Sequence, residues 1–179
     1  MKRGSATGFS LIELLLVVAV VGIIAAIAVP GLLRARVAGN EASGIGSLRA
    51  IGSGEIAFSS ACGHGGYATS LSQLFKPAPD STEGFISPDL ALDTTTKSGY
   101  IVALTVGRQI SVVAPQASTC NNSGDAIASY MSTADPIVYG RTGMRHFAID
   151  ERGSIFQDTS DTALTVGTLV TAGTISLLQ

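Results

Sequence analysis

The chain has no tryptophan, only two histidines and two cysteines, and few charged residues. Charged side chains make up 13% of the total and the formal net charge is −2, which argues against a general electrostatic grip on nucleic acid. A four-ligand zinc site would need both histidines and both cysteines to converge. We therefore expect no nucleic-acid partner, no metal site and no cofactor.

Charge is scarcest near the N-terminus. Glu13 is the only charged residue between Arg3 and Arg34. The apolar stretch from Leu14 to Leu33 has about 20 residues, which is enough to span a bilayer as a helix. A carboxylate costs about 2.5–3.5 kcal/mol at the bilayer centre and less near the interface. Glu13 therefore needs a partner, and we expect that no neighbouring residue of this chain supplies one.

The residues around Glu13 resemble a known signal. Gly8-Phe9-Ser10-Leu11-Ile12-Glu13, followed by about twenty apolar residues and Pro30, resembles the class III signal of type IV pilins and of type II secretion pseudopilins. The resemblance implies that a prepilin peptidase cuts between Gly8 and Phe9 and methylates the new amine of Phe9. On a neighbouring copy, that amine would be the counter-ion of Glu13. Pro30 matches the helix break of this family, because proline lacks a backbone donor and clashes with the preceding turn.

Two other interpretations of the N-terminus compete with this one. A cleavable secretory signal would use Lys2 and Arg3 as its charged start, but its apolar core is typically about 7–15 residues long. A permanent membrane anchor explains the length of the apolar stretch. Both leave the Gly8-Phe9 dipeptide and Glu13 unexplained, so we favour the prepilin signal.

The resemblance implies an α+β fold, in which a long N-terminal helix with a protruding hydrophobic half packs on a small antiparallel β-sheet. We expect a leader peptide at residues 1–8 and a hydrophobic transmembrane and assembly segment at 9–36. Residues 37–179 are expected to form a pilin-like globular head, made of the amphipathic half of the helix, a loop and the sheet.

The second half of the helix has a one-sided pattern. Ile45, Leu48, Ile51 or Gly52, and Ile56 recur at roughly helical spacing and predict a helix to about Ser60. We expect the sheet on the face of Ile45, Leu48 and Ile56. Polar residues, including Glu41 and Glu55, fall elsewhere. Several glycines lower the intrinsic helix stability by about 1 kcal/mol each relative to alanine, so tertiary packing must hold this part.

The rest of the chain predicts short strands and loops. Up to Lys97 we expect a loop interrupted by prolines, with one or two helical turns at Leu71 to Phe75. Gly107-Arg108 suits a two-residue hairpin turn. Residues 162–178 are apolar and threonine-rich and favour a terminal strand pair. The other predicted strands are Tyr100 to Val106, Gln109 to Ala114, Ile127 to Thr133, Arg145 to Asp150 and Ser154 to Gln157.

The two cysteines both follow the apolar stretch, on its exported side. In an oxidising compartment Cys62 and Cys120 would form one disulfide, although two buried free thiols would have the same sequence. Closing a loop of about 58 residues would contribute about 4 kcal/mol to stability.

Three groups of polar residues suggest sites but lack a complete pattern. His64 follows Cys62 by two residues, which is a metal or activated-thiol spacing. Arg145, His146 and Asp150 lie close together in a predicted strand, but no nucleophile motif accompanies them. Four carboxylates could ligate calcium but match no defined loop: Asp150, Glu151, Asp158 and Asp161. We interpret all three groups as ordinary turn and strand residues and expect no enzymatic activity.

The implied function is a structural subunit of a type IV pilus filament. The precursor would be a single-pass inner-membrane protein, and the mature chain would lie in a cell-surface filament. Its partners would be other copies of the chain, the prepilin peptidase, and the assembly platform and ATPase. One alternative is a type II secretion pseudopilin, although the absence of tryptophan departs from the major pseudopilin. The other is a membrane-anchored binding or enzymatic head.

Overall fold

The structure is a computed structural model that describes residues 8–168 and 175–178. The chain divides between Arg36 and Val37 into two units. We call them the N-terminal unit and the globular unit. One helix, α1, spans Leu11–Ala61 and therefore includes residues of both units.

In the N-terminal unit, every described residue is exposed. Residues 8–10 precede the helix, and the apolar run is helical from Leu11 onward. Pro30 lies inside α1, and the helix continues through it without interruption. The expected break therefore does not divide α1 into two helices, and a kink at Pro30 stays a prediction.

The globular unit contains a six-stranded antiparallel sheet, a two-stranded sheet and one further α-helix. Helix α2 is Leu71–Phe75, and two 3-10 turns span Pro88–Leu90 and Gln116–Ser118. The two-stranded sheet joins β3 (Val112–Ala114) and β4 (Ala126–Ile127). The large sheet has the spatial order β1 (Thr94–Lys97), β2 (Tyr100–Val106), β5 (Tyr130–Pro136), β6 (His146–Asp150), β7 (Ile155–Asp158) and β8 (Ile175–Leu177).

The main core lies between the second part of α1 and one face of the large sheet. Leu48, Ile51 and Phe58 of α1 are fully buried there with Tyr100 of β2 and Phe147 of β6. A smaller cluster of Met131, Ala148 and Leu164 covers part of the other face. The predicted α+β class, with a long N-terminal helix on an antiparallel sheet, is confirmed.

The face of α1 that packs on the sheet differs from the predicted one. Ile56 is 62% exposed, whereas Glu41 and Glu55 are buried. Ile45 is only partly buried against the core. The prediction is therefore correct at Leu48 and Ile51, partly correct at Ile45 and wrong at Ile56.

Glycines explain why the apolar pattern identified the buried face of α1 only in part. A Cβ at Gly52 would lie 2.8 Å from Cδ1 of Ile149, and one at Gly54 would lie 2.7 Å from the Phe85 carbonyl oxygen. These glycines let the sheet and the loop approach the helix backbone closely. The buried face combines apolar Leu48, Ile51 and Phe58 with glycines and two glutamates. Its apolar periodicity is therefore weak, and the sequence pattern identifies it only in part.

One hairpin, between β1 and β2, was not predicted from the sequence. Lys97 pairs with Tyr100, which leaves Ser98 and Gly99 as a two-residue turn with φ values of 47° and 76°. Positive φ at both positions is typical of the type I′ turn, which matches the twist of antiparallel strands. Strand β1 therefore lies within the stretch that was expected to be a loop, and Ser98-Gly99 was the unrecognised turn signal.

The predicted hairpin at Gly107-Arg108 is wrong. Strand β2 pairs with β5, with Val106 opposite Tyr130, while β3 pairs with β4. The Gly107 N–H donates to the Ser129 carbonyl oxygen at 2.9 Å, and a Cβ on Gly107 would lie 2.5 Å from Ser129 Oγ. The glycine permits this close approach to the start of β5 and does not form a hairpin turn.

The later strands agree with the prediction within a few residues, with one exception. The stretch from Ile127 to Thr133 is divided between β4 and β5, while β6 and β7 lie close to their predicted places. Of the predicted terminal pair, β8 is present and pairs with β7. No strand lies in residues 162–168, and residues 169–174 are outside the described part of the chain.

Candidate processing and assembly site

The start of α1 is held by a contact between Glu13 and Ser10. The Ser10 backbone N–H donates to Oε2 of Glu13 at 3.0 Å, and the Glu13 N–H donates to the Ser10 carbonyl oxygen at 3.1 Å. The side-chain contact is the glutamate half of a capping box, Ser-x-x-Glu. It also places a negative charge at the positive end of the helix dipole, where it is stabilising.

This contact corrects one expectation. Glu13 does have a partner nearby, because the Ser10 N–H supplies a hydrogen bond. That donor is neutral, and among residues 8–168 and 175–178 no basic side chain forms an ion pair with Glu13. The carboxylate is thus oriented locally but has no counter-charge within the described chain.

The bond between Gly8 and Phe9 lies outside the helix. Both residues precede Leu11, where α1 begins, and both are exposed, with Phe9 78% exposed. Apart from its chain neighbours, no described residue lies within 4 Å of where a Cβ at Gly8 would stand. A peptidase could therefore reach this peptide bond without unfolding the helix.

The first part of α1 is apolar on all sides. It contains a window with a mean hydropathy of 3.0 and is long and apolar enough to cross a membrane by length and composition. Burying one such side chain completely contributes about 1.5–3 kcal/mol. Helices of this kind are covered by lipid or by other protein in their working state. The exposed large apolar residues are Phe9, Leu11, Ile12, Leu14, Leu15, Leu16, Val17, Val18, Val20, Val21, Ile23, Ile24, Ile27, Val29, Leu32 and Leu33.

The two cysteines form a disulfide. Cys62 directly follows α1, and its Cα lies 4.7 Å from that of Cys120. The Cys120 N–H also donates to the Cys62 carbonyl oxygen at 3.3 Å. Because the bond closes a loop with a sequence separation of 58, it contributes about 4 kcal/mol in the chain-entropy treatment.

His64 lies in the turn after this disulfide. Its Nε2 is 2.9 Å from the carbonyl oxygen of Ser118. Both cysteine sulfurs are used in the disulfide, so neither is a thiolate that could bind metal beside His64.

Arg145, His146 and Asp150 have three separate sets of partners. Arg145 donates to Glu41 and to Oε1 of Gln157. Nδ1 of His146 is 2.6 Å from Oδ1 of Asp135. Asp150 accepts from Nε of Arg152 at 2.8 Å. The strand does not bring the three side chains into one hydrogen-bonded group.

Two of the four carboxylates, Asp150 and Asp158, accept hydrogen bonds within local turns. Oδ1 of Asp150 accepts the Arg152 backbone N–H at 3.0 Å, and Asp158 accepts from the backbone and hydroxyl of Ser160, each at 2.9 Å. Within the described ranges 8–168 and 175–178, no three histidine, cysteine, aspartate or glutamate side chains are grouped so that they could hold a metal ion.

Sequence reasoning missed the role of two acids in α1. Oε2 of Glu41 accepts from Nε of Arg145 at 3.0 Å, and its Oε1 accepts the Met144 N–H at 2.9 Å. Glu55 is completely buried. The only signal was their spacing with Leu48, since residues 41, 48 and 55 repeat every seven positions and thus share a helix face.

Comparison with known proteins identifies the N-terminal signal. Residues 3–29 match the family model described as the prokaryotic N-terminal methylation motif. No curated protein and no solved structure matches the chain. The matched range includes Gly8, Phe9 and Glu13, and such a signal implies processing by a prepilin peptidase. The chain therefore carries a class III prepilin signal, the motif shared by type IV pilins and pseudopilins.

Proposed function

We propose that the chain is a structural subunit of a type IV pilus filament. Residues 1–8 are the leader, residues 9–36 are the membrane and assembly segment, and residues 37–179 form the part exposed on the filament. The observation that carries the proposal is the methylation motif on a helix whose whole first part is apolar and exposed. The role is structural and not catalytic.

The apolar part of α1 serves first as an anchor and then as an assembly surface. In the precursor it spans the inner membrane, with Lys2 and Arg3 favouring a cytoplasmic N-terminus. After cleavage it leaves the lipid and packs among the helices of neighbouring copies. Lipid and neighbouring helices are similarly apolar, so this transfer keeps the surface away from water at both stages. The assembly platform and ATPase of the pilus machinery drive the transfer.

Glu13 fixes the register of that packing. Cleavage after Gly8 gives Phe9 an α-amine, which the peptidase methylates and which stays cationic. At about 4 Å and an effective dielectric constant near 20, this amine attracts the Glu13 carboxylate of an adjacent copy by about 4 kcal/mol, before desolvation is subtracted. The Ser10 N–H supports the role by orienting the carboxylate at the helix start.

A second candidate is a pseudopilin of a type II secretion system. The same methylation motif supports it, since both classes carry this signal. The genes that neighbour this one distinguish the two, since they encode either a pilus assembly system or a secretion system. Fibre length helps to separate them, because a pilin gives long surface fibres in its own assembly system, whereas a pseudopilin forms short structures that serve secretion. The absence of tryptophan from the whole sequence weighs against the major pseudopilin.

The cleavage site is tested by changing Gly8→Arg, with Gly4→Arg as the matched control. We expect full-length precursor from Gly8→Arg and normal processing of Gly4→Arg, because only Gly8 adjoins the cut bond. Mass spectrometry of the normal mature chain should begin at Phe9 with one added methyl group. A mature-sized Gly8→Arg product, or a different first residue, would overturn the proposal.

The pairing role of Glu13 is tested by Glu13→Gln, with Glu13→Asp as the control that keeps the charge. Glutamine retains an oxygen that can accept the Ser10 N–H, so the helix start is preserved while the charge is lost. We expect normal cleavage and a large loss of filament in Glu13→Gln, with more filament in Glu13→Asp. Normal filament yield from Glu13→Gln would contradict the pairing.

A further inference from the structure

Glu55 is the most unusual buried group of the globular unit. It occupies the sheet-facing side of α1, between Ile51 and Phe58, and its exposed fraction is 0%. Fully buried glutamates are rare unless they are paired. An unpaired carboxylate in such surroundings is so costly that the group normally takes up a proton instead.

Two observations on its oxygens define the environment of Glu55. Oε2 accepts the backbone N–H of Ala68 at 2.8 Å, and this contact is buried. Oε1 is also buried and has no hydrogen-bond partner in the part of the chain that the structure describes. Among residues 8–168 and 175–178, no basic side chain forms an ion pair with Glu55. A charged carboxylate would therefore have one donor and no cation.

Glu41, two heptads earlier on the same helix face, provides the contrast. It is buried as well, but the Arg145 guanidinium donates to its Oε2 and the Met144 N–H donates to its Oε1. Both of its oxygens are satisfied and its charge is balanced. The fold thus supplies a cation for one buried acid of α1 and none for the other.

Among the described residues, Tyr130 is a titratable neighbour of Glu55. Tyr130 from β5 lies close enough to interact with it electrostatically, and the ring of Tyr67 packs 5.0 Å from that of Tyr130. Burial raises the pKa of Glu55 from 4.5 to about 8, and the Ala68 N–H opposes this only in part. Burial also raises the pKa of Tyr130, so this neighbour remains neutral at such pH values.

We propose that Glu55 is a neutral carboxylic acid in the folded protein and acts as a proton-dependent latch between α1 and the segment that ends at Ala68. This segment follows Cys62 of the Cys62–Cys120 disulfide and contains Tyr67. Tyr67 exchanges backbone hydrogen bonds with Ile127 of β4. Through these bonds, the contact between Glu55 and Ala68 also connects the β3–β4 sheet to α1. The proposal rests on the globular unit alone and does not depend on the proposed function.

The direction of the pH dependence follows from the two protonation states. Above pH 4.5 the unfolded chain loses the Glu55 proton, whereas the folded chain keeps it up to about pH 8. Unfolding thus releases one proton in this window, and the folding equilibrium constant falls about tenfold per pH unit from this group. Below the window both states are protonated and above it both are ionised, so the contribution is level on either side.

The test measures how the unfolding of the full chain in detergent micelles depends on pH. The near-ultraviolet circular dichroism of the tyrosines monitors the unfolding. Glu55→Gln keeps the size of the side chain and an acceptor for the Ala68 N–H but cannot ionise. We expect the ratio of the wild-type to the Glu55→Gln folding constant to fall about tenfold per pH unit between about pH 5 and pH 8. Exposed Glu83 provides the control, and Glu83→Gln should follow the wild type across this range.

Parallel pH profiles for the wild type and Glu55→Gln would overturn the proposal. If Glu55→Gln does not fold, the carboxyl carbon of Glu55 can be titrated directly by nuclear magnetic resonance in the wild-type chain. A midpoint near pH 8 supports the neutral acid, and a midpoint near 4.5 refutes it.

Discussion

The two parts of α1, before and after residue 37, differ in which side chains they bury. Before residue 37 the helix is mostly apolar, and every described residue is exposed. After it, Glu41 and Glu55 are buried while Ile56 is 62% exposed. The first part of α1 thus exposes its apolar side chains, whereas the second part buries two acids together with Leu48, Ile51 and Phe58.

The difference shows that the two parts are stabilised by different partners. The second part has its partners within the chain, namely the sheet, Arg145 and the Ala68 N–H. Within the described residues of the N-terminal unit, the first part has no stabilising partners other than its own helical bonds and the Ser10–Glu13 contact. Its apolar surface therefore needs lipid or other protein to cover it, which is the physical basis of the proposed filament role.

The largest expected effect comes from matched leucine truncations in the two parts. Leu48→Ala should lower the free energy of unfolding of the globular unit by about 2–5 kcal/mol, because Leu48 is fully buried. Leu16→Ala should leave it unchanged, since Leu16 is 65% exposed. Chemical denaturation of the full chain in micelles measures both, and equal losses would show that the two parts are not independent.

A smaller effect is expected from removing the buried charge of Glu41. Glu41→Gln leaves Arg145 without its carboxylate and should destabilise the globular unit by roughly 2–3 kcal/mol. This is less than the 3–5 kcal/mol of a fully buried pair, because the Arg145 side chain is 33% exposed. Glu13→Gln is the control on the other part of α1 and should not change this unfolding. An unaffected Glu41→Gln protein would mean that the ion pair does not hold the helix on the sheet.

The smallest effects separate two glycines in the second part of α1. Gly54→Ala should destabilise by about 1–3 kcal/mol, because the added Cβ would meet the Phe85 carbonyl oxygen at 2.7 Å. Gly46→Ala should stabilise by up to about 1 kcal/mol, because nothing lies within 4 Å and alanine favours helix. Thermal unfolding of both variants gives the sign, and shifts in the same direction would contradict the assigned packing face.

Part of the sheet could be predicted because its signals are local. The alternating residues of β2 and β6 were recognised, as was the short helix at Leu71. The pairing was not, because Gly107 looks like a hairpin turn while its actual partner, Ser129, lies far along the chain. The Ser98-Gly99 turn is a local signal, and the hairpin that it forms was not predicted.

The N-terminal signal, the extent of α1 and the apolar character of its first part could be predicted, because all three depend on consecutive residues and need no distant contact. The buried face of α1 and the environment of its acids depend instead on residues that are far apart in sequence and meet only in the folded chain. Glycines 52 and 54 are recognised as packing positions only when Ile149 and Phe85 lie against them. Likewise, whether a buried glutamate is charged depends on whether the fold brings an arginine to it, as it does for Glu41 and does not for Glu55.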